Sequence, residues 1–318
     1  MDTLADKGCS SKNVPVASIG LPVFNGENYL RQSIESILSQ TFQNFELIIS
    51  DNSSTDRTED ICREYAARSD KIRYYRQGEN MGAAANFEFV FQKSRGKYFK
   101  WQGHDDYAHP QFLEKCIARL EQEPDAVLCQ SHVALVDADG NQLRVYAHED
   151  FGTNDPDPIT RFAGRLRNPR CSEMHGVLPR EVLEDTERLG PFVSHDRCLL
   201  SHLALMGRFL DIPEVLFAFR MHPKQFTRSV MQPGDAMYWF DPKRAAWPTL
   251  PRWTHLFHCI RSLNTVDLDT WTRLRGYGVL LRSQVKIDQM RGLFREIRRF
   301  AGYCVRSALA KSAPLSHS

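Results

Sequence analysis

The sequence predicts an α/β fold in which a mostly parallel β-sheet is covered by helices on both faces. Apolar runs of strand character alternate with amphipathic helix patterns through the first 140 residues, as in sheets built from strand–helix–strand units. Polar residues cluster where the strand-like runs end, which is where ligands bind in such sheets. No apolar run reaches the roughly 18 residues that a membrane-spanning helix needs.

The predicted elements follow one another regularly. VPVASIGLPVF predicts the first strand, and ENYLRQSIESILSQ places Leu30, Ile34 and Ile37 on one helical face. Three more strand–helix pairs follow: FELIISD with DRTEDICREYAARS, KIRYYRQ with GAAANFEFVFQKS, and KYFKWQ with QFLEKCIARLEQ. DAVLCQSHVALVDADGNQL then predicts a further strand and a turn at Asp139-Gly140.

Composition and missing motifs narrow the functional classes. The 318 residues include 41 basic and 39 acidic ones, which gives no overall nucleic-acid signature. Neither the G-x-G-x-x-G pattern of dinucleotide enzymes nor the G-x-x-x-x-G-K-[ST] loop of nucleotide triphosphatases occurs. The eight cysteines include no C-x-x-C pair, which favours a reducing cytoplasm. Residues 1–13 contain acids and no apolar core, so they predict a disordered lead rather than a secretory signal.

Three short polar loops are predicted to meet at one edge of the sheet. They begin at Pro22, at the SDNSSTD segment and at the GHDD segment, each directly after a strand. In GHDD the adjacent carboxylates of Asp105 and Asp106 repel unless a positive charge lies beside them. A metal ion that also binds a nucleotide diphosphate would supply it, since Mg²⁺ and Mn²⁺ prefer carboxylate and phosphate oxygens. Alternatively, the two acids only favour the dipole of the following helix.

These motifs together carry a family resemblance. The segment VASIGLPVFNGENYLRQSIESILSQTFQNFELIISDNSSTDRT, followed by NMGAAANF and HDD, resembles the family 2 glycosyltransferases with the GT-A fold. The resemblance extends over roughly residues 14 to 225. It implies a Rossmann-like sheet of the GT-A type and transfer of a sugar with inversion at the anomeric carbon in a single displacement.

The resemblance also implies roles for individual residues. The nucleotide-binding positions of the family correspond to Pro22, Phe24, Asp51, Asn86 and Asp105. Among them Asp51 would hold the base, and Asp105 the ribose or a metal-bound water. Asp106 would bind Mg²⁺ or Mn²⁺, while His104 stands where the family often has an acid. Taken alone, Asp51 is also explained as the cap of a turn with the serines that follow it.

The second half offers a catalytic base and further ligands. His195-Asp196 begins a helix where the family has an acidic pair, so the resemblance makes Asp196 the catalytic base. Its alternative role is that of a helix N-cap. His222, in Arg220-Met221-His222, resembles the family's R-x-H element, whose histidine reaches the metal or diphosphate, although a lone histidine is more often structural. The segment EMHGVLPREVL resembles the lining of the sugar and acceptor sides, which adds Glu173, His175 and Gly176.

The chain is predicted to be organised in three parts. They are the lead at 1–13, a GT-A catalytic domain at 14–230 and an aromatic loop with a basic helical extension at 231–318. The domain divides into a nucleotide-sugar half at 14–140 and an acceptor and catalytic half at 141–230. The aromatic stretch MYWFDPKRAAWPTLPRW would either stack on sugar or nucleotide or cover the core.

The C-terminal extension is unusually basic. Residues 282–311 hold eight basic side chains and two acidic ones, Asp288 and Glu296. Apolar residues recur among the arginines at helical spacing: Leu293, Phe294, Ile297, Ala301 and Val305. Such a helix either binds a membrane surface or packs on the catalytic domain.

The sequence as a whole predicts a metal-dependent transferase that moves a sugar from a nucleotide-diphosphate sugar to an acceptor hydroxyl. The acceptor would be a saccharide, a lipid-linked sugar or another hydroxyl compound, in polysaccharide or glycoconjugate biosynthesis at the cell envelope. The expected location is the cytoplasm, with peripheral contact to the inner face of the membrane. One alternative is a sugar-nucleotide pyrophosphorylase, for which LPVFNGENY lacks the expected glycine-rich loop. Another is a non-catalytic sugar-nucleotide-binding protein, against which Asp196 counts.

Overall fold

A computed structural model describes residues 14–147, 151–168, 170–223, 225, 233–244, 249–285 and 287–312. The predicted lead at 1–13 and the predicted domain boundary at 230 lie outside these residues.

The first sheet has five strands. β1 (Ala17–Val23), β2 (Phe45–Asp51), β3 (Ile72–Arg76) and β4 (Tyr98–Trp101) run parallel, and β8 (Leu178–Pro179) is antiparallel to β4. The strand order is β3-β2-β1-β4-β8. Val23 at the end of β1 pairs with Asp51 at the end of β2, so the polar loops that follow both strands begin side by side.

Helices cover both faces of this sheet. α1 (Leu30–Leu38), α2 (Thr58–Arg68) and α4 (Phe112–Gln122) pack in one apolar cluster, which also contains Leu47 and Ile49 of β2. α3 (Ala83–Gln92) and α7 (His195–Met206) belong to a second cluster with Ile48. Because side chains alternate across a strand, the two clusters lie on opposite faces. The predicted fold class is confirmed.

A second sheet includes the short strand that follows the GHDD segment. It contains β5 (Tyr107–Ala108), β9 (Arg208–Arg220), β6 (Ala126–Val136) and β7 (Gln142–Tyr146), in the order β5-β9-β6-β7. β6 and β9 are parallel, and β5 and β7 pair antiparallel to them. Strands from before and after residue 140 occur in both sheets.

The remaining helices are short in the middle of the chain and long at its end. α5 (Pro158–Arg167), a 3-10 turn (Ser172–His175) and α6 (Arg180–Glu184) precede α7. α8 (Pro233–Phe240) is followed by a 3-10 turn (Pro242–Arg244), α9 (Pro251–Thr265), α10 (Thr270–Gln284) and α11 (Ile287–Ser312). α9 and α10 share a buried apolar cluster with α5 and α7, which attaches the helical extension to the domain. Within the described part of the chain, no helix is both long and apolar enough to cross a membrane.

Candidate active site

The loops after β1 and β2 are fastened to each other. The Asn25 amide donates a hydrogen bond of 2.9 Å to Ser54 Oγ, and the Gly26 amide donates one of 2.8 Å to Thr58 Oγ1. Asn25 adopts a left-handed backbone conformation with φ of 51°. Pro22 is buried at the end of β1, whereas Phe24 is 42% exposed directly after it. Of the two positions predicted here, Phe24 is therefore the one whose side chain can meet a ligand.

Asp51 lies at the end of β2 and is fully buried. Its Oδ1 accepts a hydrogen bond from the Ser54 amide at 2.8 Å, and its Oδ2 accepts one from Arg76 at 2.5 Å and one from Tyr74 at 3.2 Å. Both oxygens thus have protein partners. The contact with Ser54 matches the turn-capping alternative, and the predicted contact with a base would have to share an oxygen that is already engaged.

Asn86 does not face open space as a nucleotide ligand would. Only 2% of the residue is exposed, and its Nδ2 donates to the Ser50 carbonyl at 3.0 Å, at the end of β2. Its Oδ1 is buried without a hydrogen-bond partner among the described residues. The side chain links the ends of β1 and β2, and its contact with a nucleotide stays a prediction.

Asp105 and His222 form a close pair at the surface of the site. Asp105 Oδ2 lies 2.9 Å from His222 Nε2, and the Asp105 side chain is 16% exposed. Burial pushes the pKa of Asp105 upward, but the nearby His104 and the hydrogen bond from His222 outweigh it and lower the pKa to about 2. Asp105 is therefore an ionised carboxylate, with an imidazole beside it.

Asp106 occupies a different environment from its neighbour. It is 2% exposed, and its Oδ1 accepts a hydrogen bond of 3.0 Å from the Arg220 amide at the end of β9. Burial and the charge of Asp105 raise the pKa of Asp106 well above its ordinary value. A carboxyl group so enclosed anchors β9 to the loop. Asp105 is the more exposed of the two carboxylates, and the metal role suggested for Asp106 stays a prediction.

Gly103 permits the two carboxylates to fold back over the loop. A Cβ atom at this position would lie 2.6 Å from Asp106 Oδ2 and 3.0 Å from Asp105 Oδ1. Contacts this short are repulsive, so any larger residue would displace both carboxylates.

His175 lies beside Asp106. Its Nε2 is 3.9 Å from Asp106 Oδ2, and its ring stacks on Phe217 with 5.0 Å between centroids. Burial and the charge of Lys100 lower the pKa of His175 to about 3, so the imidazole is neutral. The His175 carbonyl accepts a hydrogen bond of 2.7 Å from the buried Lys100 ammonium group.

Glu173 and Gly176, predicted to line the sugar and acceptor sides, are engaged in contacts within the fold. Glu173 is 2% exposed, and its Oε1 accepts hydrogen bonds from Arg165 at 2.6 Å and Asn168 at 2.9 Å. Gly176 packs against β6, where a Cβ would lie 2.8 Å from the Cys129 carbonyl oxygen. Their role toward sugar and acceptor stays a prediction, and the sequence did not show the buried arginine that contacts the Glu173 carboxylate.

Asp196 lies in the first turn of α7 and is partly exposed. The helix begins at His195, and Ser194 precedes it in a left-handed conformation with φ of 74°, so Asp196 is not the N-cap. Its Oδ1 accepts a hydrogen bond of 2.8 Å from the Arg197 amide. Burial and the charge of Asp196 raise the pKa of the Cys171 thiol.

One short turn connects the environment of Asp196 to that of Asp106. Cys171, whose pKa is raised by burial and by the Asp196 charge, directly precedes the 3-10 turn Ser172–His175, and His175 at the end of this turn lies beside Asp106. The turn therefore links the two regions along the chain.

Arg220 is a functional residue whose role the sequence did not define. Its Nε donates to the Asp105 carbonyl at 3.0 Å, and its guanidinium lies 4.5 Å from the ring centroid of Tyr29. The same Tyr29 ring lies 5.0 Å from that of His222. Arg220 and Tyr29 thus fix the Asp105–His222 pair from both sides. The R-x-H element in the sequence could have pointed to Arg220, whereas no sequence pattern pointed to Tyr29.

The aromatic segment after residue 231 reaches the edge of the site. Phe240 of α8 is buried, and its ring lies 4.7 Å from that of His195. Its carbonyl approaches Gly82 so closely that a Cβ there would lie 2.4 Å away, and Gly82 has φ of 83°. Phe240 covers the core, whereas Tyr238 is 58% exposed. Trp247 lies outside the described residues.

The chain matches a sequence model of the family described as Glycosyl transferase family 2 over residues 18–186. It belongs to this glycosyltransferase family. The matched residues include both loops after β1 and β2 and the GHDD segment. Asp196, Arg220 and His222 lie beyond them.

Two curated relatives illustrate the similarity. An uncharacterized glycosyltransferase of Rickettsia typhi is 36% identical over 118 residues, which cover 36% of this chain and 36% of that protein. The putative glycosyltransferase EpsE of Bacillus subtilis is 40% identical over 109 residues, which cover 34% of this chain and 39% of that protein. The matched part thus amounts to well under two thirds of the length of these relatives.

Solved structures share the GT-A fold of this glycosyltransferase. TarS of S. aureus, determined in complex with UDP-GlcNAc, superposes with a TM-score of 0.62 at 14% identity, covering 90% of this chain and 81% of that one. The mannosyltransferase PcManGT of Pyrobaculum calidifontis, in complex with GDP-Man and Mn²⁺, gives 0.54 at 16% identity, covering 96% and 77%. At these identities the likeness establishes the fold alone.

The side chains of the site fit a divalent ion that has few protein ligands and takes the others from substrate phosphates and water. Within the described ranges, no three or more His, Cys, Asp and Glu residues converge on one point. Asp105 and His222 supply one carboxylate and one imidazole. Mg²⁺ and Mn²⁺ sites of nucleotide enzymes commonly use one or two protein ligands, with substrate phosphates and water completing the shell.

Proposed function

We propose that this family 2 glycosyltransferase inverts the anomeric centre and requires a divalent metal ion to transfer a sugar from a nucleotide-diphosphate sugar to an acceptor hydroxyl. The observation that supports the proposal is the ionised Asp105 paired with His222. We place the partly exposed Asp196 in the same site. The Asp105–His222 pair suits a cationic ligand, and Asp196 suits the role of proton acceptor.

The donor side is formed by the loops at the carboxyl edge of the first sheet. Phe24 offers an exposed ring to the nucleoside, and Asp51 lies at the end of the neighbouring strand β2. Asp105 and His222 would hold Mg²⁺ or Mn²⁺. When bound, such an ion neutralises the charge that develops on the leaving diphosphate. Asp106 and Arg220 keep the Asp105 loop in position.

The acceptor side requires a proton acceptor, because a hydroxyl is a poor nucleophile at neutral pH. Asp196 would take the proton of the acceptor hydroxyl while its oxygen bonds to the anomeric carbon. The bond from that carbon to the diphosphate oxygen breaks at the same time, and the nucleoside diphosphate leaves with the electron pair. Asp196 lies in the first turn of α7, at the positive end of the helix dipole.

The donor and acceptor are proposed only as classes. Binding of UDP-GlcNAc by TarS and of GDP-Man by PcManGT supports a nucleotide-sugar donor here as well. A saccharide or lipid-linked acceptor, used in cell-envelope polysaccharide or glycoconjugate synthesis, fits a transferase of this family. The cytoplasm, at the inner face of the membrane, is the place of action that we propose.

The proposal is tested by incubating the full chain with a panel of nucleotide sugars and Mn²⁺ or Mg²⁺ and measuring release of the nucleoside diphosphate. We expect one donor to be used, with activity lost in excess EDTA and restored by added metal. The Asp196→Asn variant is the control for background hydrolysis. Full activity in EDTA would contradict metal dependence. Tight nucleotide binding without turnover of any donor would favour the non-catalytic alternative.

A further inference from the structure

The last helix carries an apolar stripe that the protein does not cover. Met290, Phe294, Ile297 and Ala301 of α11 follow the i, i+4, i+7, i+11 spacing of one helical face. All four are exposed, and Phe294 is 63% exposed. Phe300 adds a further exposed ring at 43%. This stripe therefore faces solvent rather than the domain.

A different face of α11 makes the contact with the domain. The buried Glu296 carboxylate accepts hydrogen bonds from the Arg252 amide at 3.1 Å and the Trp253 amide at 3.4 Å, at the start of α9. The Leu293 carbonyl accepts one of 3.1 Å from Trp253 Nε1. Gly292 is buried against Arg252, where a Cβ would lie 2.4 Å from its Nε. The helix thus packs on the domain and still presents its apolar stripe, so the two predicted alternatives for this helix are compatible.

Arginines border the apolar stripe on one side. Arg291, Arg295 and Arg298 each follow a residue of the stripe, so they lie about 100° around the helix from it. Arg299, also exposed, lies on the opposite side of the helix from the stripe. None of these four exposed arginines has an ion-pair partner among the described side chains. Glu296 is the one acidic side chain described in α11, and it is buried and engaged.

Exposed apolar side chains also lie next to an exposed arginine at the end of α10. Leu281 and Val285 are 67% and 61% exposed, and Arg282 between them is exposed as well. We name these residues and the stripe and arginines of α11 together the C-terminal apolar–arginine surface.

We propose that the C-terminal apolar–arginine surface binds an anionic lipid bilayer in the plane of the interface. Exposed aromatic and aliphatic side chains beside unpaired arginines match the two layers of such a surface, acyl chains below and acidic headgroups above. A second copy of the chain is a poorer occupant, since a two-fold contact would bring the arginine borders together. A nucleic acid would leave the apolar stripe uncovered.

Co-sedimentation of the full chain with vesicles tests this proposal, using phosphatidylcholine with and without phosphatidylglycerol. We expect binding only to the phosphatidylglycerol vesicles, and weaker binding at high salt because the charge interaction is screened. The double variant Phe294→Glu/Ile297→Glu should abolish binding. Arg295→Ser/Arg298→Ser should lower the partition coefficient about fivefold per arginine. Donor hydrolysis should stay unchanged in both, because neither pair belongs to the catalytic site.

Matched controls separate this surface from general hydrophobicity and charge. Leu143→Glu changes an equally exposed apolar residue on β7, and Arg68→Ser changes an exposed arginine on α2. Both controls should bind vesicles as the wild type does. Equal binding of wild type and Phe294→Glu/Ile297→Glu would overturn the proposal. The absence of vesicle binding by the wild type would also overturn it. If light scattering then shows a dimer that the glutamate variant dissociates, the surface binds a second copy of the chain instead.

Discussion

His222 Nε2 lies 2.9 Å from Asp105 Oδ2, although the two residues are 117 positions apart in the chain. The contact joins the end of β9 to the loop after β4. Asp106, the next residue, turns the other way and accepts the Arg220 amide. Two adjacent carboxylates therefore have different neighbours and, we expect, different responses to substitution.

Replacement of Asp105 by asparagine should remove activity and leave the fold intact. The carboxylate is partly exposed and is proposed to hold the metal, so its loss should lower kcat at least about 100-fold. Calorimetry should show that Mn²⁺ no longer strengthens nucleotide binding, while the melting temperature stays near that of the wild type. An active Asp105→Asn enzyme would remove this residue from the metal site.

Substitutions of Asp106 should act first on stability. Because burial raises the pKa of Asp106, the neutral Asp106→Asn should keep the acceptor for the Arg220 amide and change the unfolding free energy little. Asp106→Ala leaves that amide unpaired and should cost about 1–3 kcal/mol. Its transfer activity should fall as well, because the Asp105 loop loses its anchor. If Asp106→Asn is fully stable but loses metal-dependent nucleotide binding, Asp106 is the metal ligand, as the sequence suggested.

Replacement of Asp196 by asparagine should separate catalysis from binding. Asparagine is nearly isosteric but accepts no proton, so kcat should fall about 100-fold or more while donor binding stays near wild type. Glu181→Gln, in the first turn of α6 and exposed, is the matched control and should have no effect on kcat. If Asp196→Asn keeps most of its kcat, the base must be sought elsewhere.

Glu173→Ala should destabilise the protein strongly. It would leave Arg165, which is itself fully buried, without its charge partner, and breaking such pairs costs about 3–5 kcal/mol. Chemical denaturation should also show that Arg165→Met/Glu173→Leu recovers much of the loss, because neither charge then remains unpaired. A stable Glu173→Ala with a raised KM for the acceptor would restore the acceptor role predicted from the sequence.

Lys100 should make stability depend on pH. Burial lowers its pKa to about 7, so the folded protein releases this proton more readily than the unfolded chain. The wild type should therefore gain stability relative to Lys100→Met as pH rises from about 7 to about 9, by up to ~1.4 kcal/mol per unit. Lys97→Met is the control, since the hydrogen bond to Glu121 raises the pKa of Lys97 and no such gain is expected. Parallel stability curves for wild type and Lys100→Met would contradict this.

The strands and helices of the first 140 residues were predictable because their pattern is local. Residues such as Ile34 and Leu47 are buried as the spacing indicated. The site was predictable only in part, since it depends on contacts between distant segments. No spacing shows that Arg220 reaches Asp105, that Arg165 claims the Glu173 carboxylate or that Asn86 points inward. Burial likewise distinguishes Asp105 from Asp106, and two identical letters in a sequence do not.

The segment from α7 through β9 carries Asp196 at its beginning and Arg220 at its end. It lies entirely outside residues 18–186, over which the family model matches. It also carries the Arg220 amide and guanidinium that hold Asp106 and Asp105. The polar residues around Asp105 thus come from two stretches of the chain, one inside and one beyond the matched region, so a chimera exchanged at the start of α7 would split the contact between Arg220 and the β4 loop between two parent sequences.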